Sequence, residues 1–349
     1  MTELRVLLKE HYDNYPEMEV QDAVKFLFQH HMGPGHLIAD EASVLARLEA
    51  ECSDVPANSC SPLYEEIGNG LSRLNLSACK AKGLSTKTIA RLFCLTAQNI
   101  LPDHNALEKS LDLVYELPFS RETVDRYLTQ YRQDGCPMVS HSPRYRAAYS
   151  PAYRIVSKYY VNLIPVLIAV GRCMAEHPNA RVAIDGPCAS GKSTLGKTLA
   201  DIYRCPLVHM DDFFLRPEQR TEARLAEPGG NVDYVRFSQE VLAPLLRNVT
   251  ARYRPWQCHS QNFGPEITVE PGPLTIVEGS YALRPDLRER YHLRIWVEAP
   301  WEVRRQRLLE RGGPDCLARF EALWIPLEDR YFNAYQVREC CHLTFSSMS

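Results

Sequence analysis

Apolar residues recur three and four positions apart between residue 4 and about residue 131, as in Val24, Leu27 and Phe28, or Ile89, Leu92 and Phe93. That period puts them on one face of a helix, so this stretch is expected to be mainly α-helical with no strong strand. Gly33-Pro34-Gly35, residues 53–62, Leu101-Pro102-Asp103 and Asp134-Gly135-Cys136-Pro137 punctuate it. They divide it into about five or six helices. Between His141 and Arg154, arginine alternates with tyrosine, and a connecting helix is expected to run on to about Glu176. The longest apolar run, residues 163–170, is far shorter than the roughly 20 residues of a membrane helix and reads as a core helix.

After His177-Pro178-Asn179 the texture changes to short apolar runs alternating with helical periods. Strands are expected at 182–185, 206–210, 274–278 and 293–297. Helices are expected at 192–203, 234–247, 301–311 and 317–337, the last interrupted at Pro326. Strand and helix in alternation predict a parallel sheet covered by helices. The expected architecture is thus a mainly helical domain (1–150), a connecting helix and linker (151–178), and an α/β domain (179–349).

Composition narrows the class. A chain of 349 residues is long enough for two cores. With 45% hydrophobic and 24% charged residues it fits a soluble globular protein, not a disordered or collagenous one. A net charge of -3 gives no global footprint for nucleic acid, which is not expected as a partner. The N-terminus lacks a secretory signal, so a cytoplasmic protein is expected. The 12 cysteines are scattered, with Cys340 and Cys341 adjacent and no CxxC pair, and read as reduced thiols.

The strongest chemical signal is Gly186-Pro187-Cys188-Ala189-Ser190-Gly191-Lys192-Ser193, which matches G-x-x-x-x-G-K-[ST] between an expected strand and an expected helix. Glycines let backbone amides converge on phosphate oxygens, and the helix N-terminus adds partial positive charge. Lys192 is placed at the β- and γ-phosphates of ATP, Ser193 at Mg2+, and Thr194 beside it. That strand–loop–helix pattern makes the fold class of 179–349 an α/β P-loop NTPase.

Two adjacent carboxylates, Asp211 and Asp212, close the second strand, where one of them can accept a proton from a substrate hydroxyl. An isolated acid there would read as a helix cap. Glu278 ends an apolar strand and is the candidate for holding Mg2+ through water. Arg304, Arg307 and Arg311 share one helix face, a possible clamp on the transferring group or simply a solvated side.

In this order the motifs resemble the uridine kinase and phosphoribulokinase group of P-loop kinases, over about residues 181–345. The resemblance rests on the loop, on Asp211-Asp212-Phe213-Phe214, on Pro228-Gly229-Gly230-Asn231-Val232-Asp233, on Glu278-Gly279-Ser280-Tyr281 and on the arginine helix. It implies transfer from ATP to a hydroxyl of a nucleoside or sugar-like acceptor. Asp211 would be the general base, Asp212, Asp233 and Tyr253 would line the acceptor, and Arg307 and Arg311 would belong to the closing region. Two departures stand out. Residues 256–261 lack an arginine after His259, and residues 312–328 replace an arginine-rich lid.

The first half resembles no family. His30, His31 and His36 flank a glycine turn, with Glu65 and Glu66 further on, and read as metal ligands or, more simply, as polar packing. Beside the kinase stand two alternatives: a nucleotide-gated binding or regulatory protein, and a bifunctional enzyme whose helical half carries a second activity.

Overall fold

The computed structural model describes residues 2–35 and 40–347 and divides into two compact units, Met1–Ile168 and Ala169–Ser349. The division falls within the helix Ile164–Glu176. Among the described residues no helix is long and apolar enough to cross a membrane.

The first unit is mainly helical, as its periodicity predicts, and its helices begin where short polar side chains cap them. Asp40, Ser85, Asp103, Ser120 and Ser142 each accept from a backbone N–H in the first turn of the helix that follows. The core gathers Val24, Leu27, Leu107, Val114 and Leu128, all buried. Two features depart from the sequence reading. More helices form than the five or six expected, because short ones such as Leu76–Lys82 escape a periodicity test. There is also an antiparallel sheet: β1 (Tyr64–Gly68), β2 (Leu71–Asn75) and β3 (Tyr153–Ser157). The absence of strands expected from sequence is therefore corrected. Asn69 and Gly70, at φ 54 and 67, turn β1 into β2, and Asn-Gly with positive φ at both positions is the favoured two-residue hairpin turn. β3 is the tail of the arginine and tyrosine segment, so residues 153–157 pair with β2 instead of opening a connecting helix.

Asp22 anchors that segment. Its carboxylate accepts from Glu19 N, His141 Nδ1, Ser142 N and Ser142 Oγ at 2.6–3.0 Å. Burial alone would raise it, but the bonds from His141 and Ser142 outweigh burial and hold it below the ordinary carboxylate range. Asp22→Ala leaves these buried donors unpaired and is expected to cost about 3 kcal/mol, read as a lower midpoint in denaturant. An unchanged midpoint would show that the segment holds without this anchor.

The second unit holds a parallel sheet in the order β12-β11-β4-β10-β5. Its strands are β4 (Ala180–Asp185), β5 (Leu207–His209), β10 (Leu274–Glu278), β11 (Leu293–Glu298) and β12 (Leu343–Ser346). Two small hairpins lie outside it: β6 (Ala251–Tyr253) with β9 (Ile267–Val269), and β7 (Trp256–Gln257) with β8 (Asn262–Phe263). The four expected strands all form; β12 and the hairpins were not foreseen. From β4 the chain runs to β5 and β10 on one side, then to β11 and β12 on the other. The switch in direction lies at β4, whose C-terminal end is where such sheets bind ligands. The helix Lys192–Tyr203 has its expected bounds. The helix expected at 301–311 forms: backbone at Gly312 and Gly313, at φ -162 and 72, is non-helical and separates it from a second helical stretch that continues from Pro314 to Arg319.

Candidate active site

The glycine loop leaves the end of β4 at that switch point. Asp185, the last strand residue, is fully buried; its Oδ1 accepts from Gly186 N at 2.7 Å and its Oδ2 from Leu283 N and the Tyr331 hydroxyl at 3.0 and 2.9 Å. Burial pushes Asp185 up to about 7, against the opposing pull of Lys192 and these donors. Gly186 sits at φ 148, and a Cβ there would stand 2.1 Å from Val297 O on β11, so only glycine fits. Ala189 takes φ 57 without glycine's freedom, which costs on the order of 1 kcal/mol.

The loop is held from outside. Arg304 Nε donates to Cys188 O at 2.8 Å, and Arg307 Nη1 to Ala189 O at 3.0 Å while its Nη2 donates to Ser347 Oγ. Glu328, buried, accepts from Cys188 N at 2.8 Å and from Ser280 Oγ at 2.7 Å. Within the loop Lys192 Nζ donates to Pro187 O at 3.0 Å, and Ser190 Oγ is buried with no partner among the described residues. Ser193 and Thr194 are exposed in the first helical turn, where backbone N–H groups have no intrahelical acceptor. This loop can therefore offer amides, a hydroxyl and an ammonium to an anion.

Sheet register brings the acids alongside. Glu278 on β10 pairs with Ile184 on one side and His209 on the other, so the strand ends before the loop and before Asp211 lie level with it. Glu278 Oε1 is 2.5 Å from His209 Nδ1, which raises the His209 pKa, and Glu278 Oε2 is buried without a partner among the described residues. A Cβ on Gly196 would lie 3.1 Å from Glu278 Cγ, so Glu278 packs on the helix face that carries Ser193 one turn earlier. Asp211 is exposed to solvent but ringed by protein; the loss of surrounding water raises it to about 6, with Glu278 and Glu328 adding and Lys192 and His209 opposing.

The remaining expected site residues divide. Asp212 accepts from the Tyr253 hydroxyl at 3.0 Å, and burial raises its pKa. Tyr253 is buried, its ring against Phe213. Asp233 caps its helix, accepting from Arg236 N at 3.1 Å and from Gln219 Nε2 at 2.8 Å, so its carboxylate already serves local structure. Arg236 ties the group together by donating to Asp212 O at 2.9 Å. Arg307 touches the loop, whereas Arg311 is exposed. Sequence reasoning assigned no part to Glu328 or Ser280, and nothing local marks them: Glu328 is 140 positions from Cys188.

Glu328→Ala strips the acceptor from Cys188 N and Ser280 Oγ. It is expected to weaken binding of a nucleoside triphosphate by the full chain about tenfold, read by calorimetric titration, since it loosens the loop without removing any group that faces the anion. An unchanged affinity would show that the loop keeps its shape alone.

In the first unit, His30 Nδ1 lies 2.6 Å from Ile67 O, and its ring meets His31 edge-on. Burial lowers both pKa values, that of His31 to about 4. Glu65 bonds His11 and Arg73, and Glu66 pairs with Lys158. His36 lies outside the described residues. Among the described residues no three His, Cys, Asp or Glu side chains are grouped to hold a metal ion.

No protein-family profile matches the chain, and no curated protein matches it. Solved structures similar to it include a possible uridine kinase from Bacillus stearothermophilus, at 16% identity and TM-score 0.42, covering 54% of this chain and 100% of that one. A second is a putative fructose transport system kinase from Silicibacter sp. TM1040, at 24% identity and TM-score 0.41, covering 50% of this chain and 97% of that one. A third is D-glycerate 3-kinase from Cryptococcus neoformans, at 15% identity and TM-score 0.36, covering 46% of this chain and 87% of that one. What the second unit's own backbone establishes is a P-loop α/β fold: a parallel sheet whose switch-point strand feeds a glycine loop into a helix N-terminus.

Proposed function

We propose that the second unit is a kinase that transfers the γ-phosphoryl group of ATP to a hydroxyl of a small molecule, with a nucleoside or sugar-like acceptor of the uridine kinase type. The observation that carries this reading is the register of β10. It sets Glu278 level with the end of β4, which enters the glycine loop, and with His209, two residues before Asp211.

In this mechanism the amides of Gly186 to Ser193 cradle the phosphates and Lys192 neutralises charge at the β- and γ-positions. Ser193 Oγ and the unpartnered Glu278 Oε2 suit Mg2+, a hard cation that takes oxygen ligands and keeps several waters. Bound there, Mg2+ would offset negative charge on the phosphates. Asp211 takes the proton from the acceptor hydroxyl as the new oxygen–phosphorus bond forms and the bond to the leaving ADP oxygen breaks. Asp212 and Tyr253 form the acceptor wall, with Asp233 and Arg236 positioning it. Arg307 shifts from the loop carbonyl to the transferring group on closure, and Arg311 follows it. ATP as donor and twelve free thiols suit a cytoplasmic enzyme.

The test is ADP formation by the full chain against a panel of nucleosides, sugars and sugar alcohols. At least one acceptor is expected to raise turnover well above water-only hydrolysis. Folded protein that binds ATP and transfers to none of them would overturn the reading.

A further inference from the structure

The first unit contains a cavity of about 290 Å³ formed wholly by its own residues. Its lining combines the cations Lys25, Arg47 and Arg154 and the carboxylate of Glu51 with the apolar and aromatic Val44, Phe93 and Ile155. The charges are unevenly matched. Arg154 is paired with Glu51 at 2.5 Å. Lys25 Nζ donates to Val139 O at 2.8 Å and makes no ion pair among the described residues, and exposed Arg47 makes none either. Burial lowers Lys25 to about 8, with Arg73 and Arg146 adding to it and Asp22 opposing. A half-buried ammonium without a carboxylate is a cost to folding that a bound anion removes.

The wall behind these cations is built from a one-way chain of hydrogen bonds. Arg73, 2% exposed, donates from Nε and Nη2 to Gln29 Oε1 at 2.9 and 2.7 Å. Gln29 Nε2 donates to the Tyr153 oxygen at 3.1 Å, the Tyr153 hydroxyl to His141 Nε2 at 2.7 Å, and His141 Nδ1 to Asp22 Oδ1 at 2.9 Å. Burial holds His141 down to about 4, so it is neutral at pH 7 and the Nδ1–H tautomer satisfies both neighbours. Arg73 also stacks over the Tyr153 ring at 4.9 Å, and the Glu65 carboxylate neutralises it at 3.2 Å. The polar wall is thereby fixed and its donors are used within it. The spare N–H groups of Lys25 and the free guanidinium of Arg47 are left to meet a ligand.

We propose that this cavity is a binding site for a small phosphate monoester with a planar or apolar body. The phosphate lies between Lys25 and Arg47, and the body lies against Phe93 and the Tyr153 ring. Two unmatched cations call for a dianion, and the guanidinium fork fits two phosphate oxygens at once. The cavity volume suits one ring and one phosphate group.

The experiment is calorimetric titration of the full chain with phenyl phosphate, with ADP saturating so that the glycine loop is filled. Phenol serves as the neutral counterpart. One-to-one binding is expected, with phenol at least about tenfold weaker and with Arg47→Glu and Lys25→Met each weakening phenyl phosphate at least about tenfold. Arg47 is exposed, so its variant keeps the fold and decides the matter even where Lys25→Met lowers stability. No binding of phenyl phosphate, or binding that Arg47→Glu leaves unchanged, overturns the proposal.

Discussion

Replacing Lys192 with alanine should abolish acceptor-dependent ADP formation, with a loss in kcat/KM on the order of 10³-fold or more. The side chain is 8% exposed, and its ammonium lies within the loop at 3.0 Å from Pro187 O. In that low-dielectric setting a fixed positive charge stabilises developing negative charge far better than it would in water. Because Lys192 holds no other element of the fold, thermal stability should move little. Retained transfer by a folded Lys192→Ala protein would place phosphate recognition elsewhere.

The second large effect belongs to Asp211→Asn, which keeps shape and removes basicity. Loss of a positioned general base lowers kcat by about 10² to 10⁴, while ATP binding should be nearly unchanged. The pH profile provides an independent sign. A base works only when deprotonated, so if Asp211, raised to about 6, is the proposed base, kcat/KM of the unaltered protein should fall as pH drops through about 6 and level off above it. Asp211→Asn should lose that acid limb. A limb that persists near 7 in the variant would belong to Asp185, the buried acid at the start of the loop. An unaltered profile and rate would remove Asp211 from proton transfer.

The two units differ in how much of them the sequence displays. In the second, a strand buried on both faces reads as a short apolar run, and Leu274 to Glu278 was legible to the residue. The glycine loop was legible because its backbone conformation restricts residue type locally: Gly186 and Gly191 take positive φ, and no other residue allows Val297 O so near Gly186. In the first unit the strands are short, and β2 buries Arg73 where a strand pattern would show an apolar residue. Its turn, Gly68-Asn69-Gly70, was the available signal.

The candidate sites divide along similar lines. Asp211, Asp212 and Glu278 were visible because each directly follows or ends an apolar strand. Asp233 and Tyr253 were named as acceptor residues, and the structure shows them bonded to Arg236, Gln219 and Asp212. His30 and His31 form a conspicuous pair in the sequence, yet His30 is taken up by a carbonyl, while the cavity beside His141 and Tyr153 draws on residues from 25 to 155.

By itself, the sequence determined the parallel sheet of the second half, the anion-binding loop and the acids at its strand ends, since each follows from periodicity or from the backbone demands of a few adjacent residues. Tertiary structure alone decided that Glu328 holds the loop's Cys188 amide and that, among the described residues, Glu278 keeps one oxygen unpartnered while Lys25 and Arg47 make no ion pair at a cavity that Glu51 also lines. Pairing and desolvation are set by which distant residues packing brings within reach, and no local pattern encodes that.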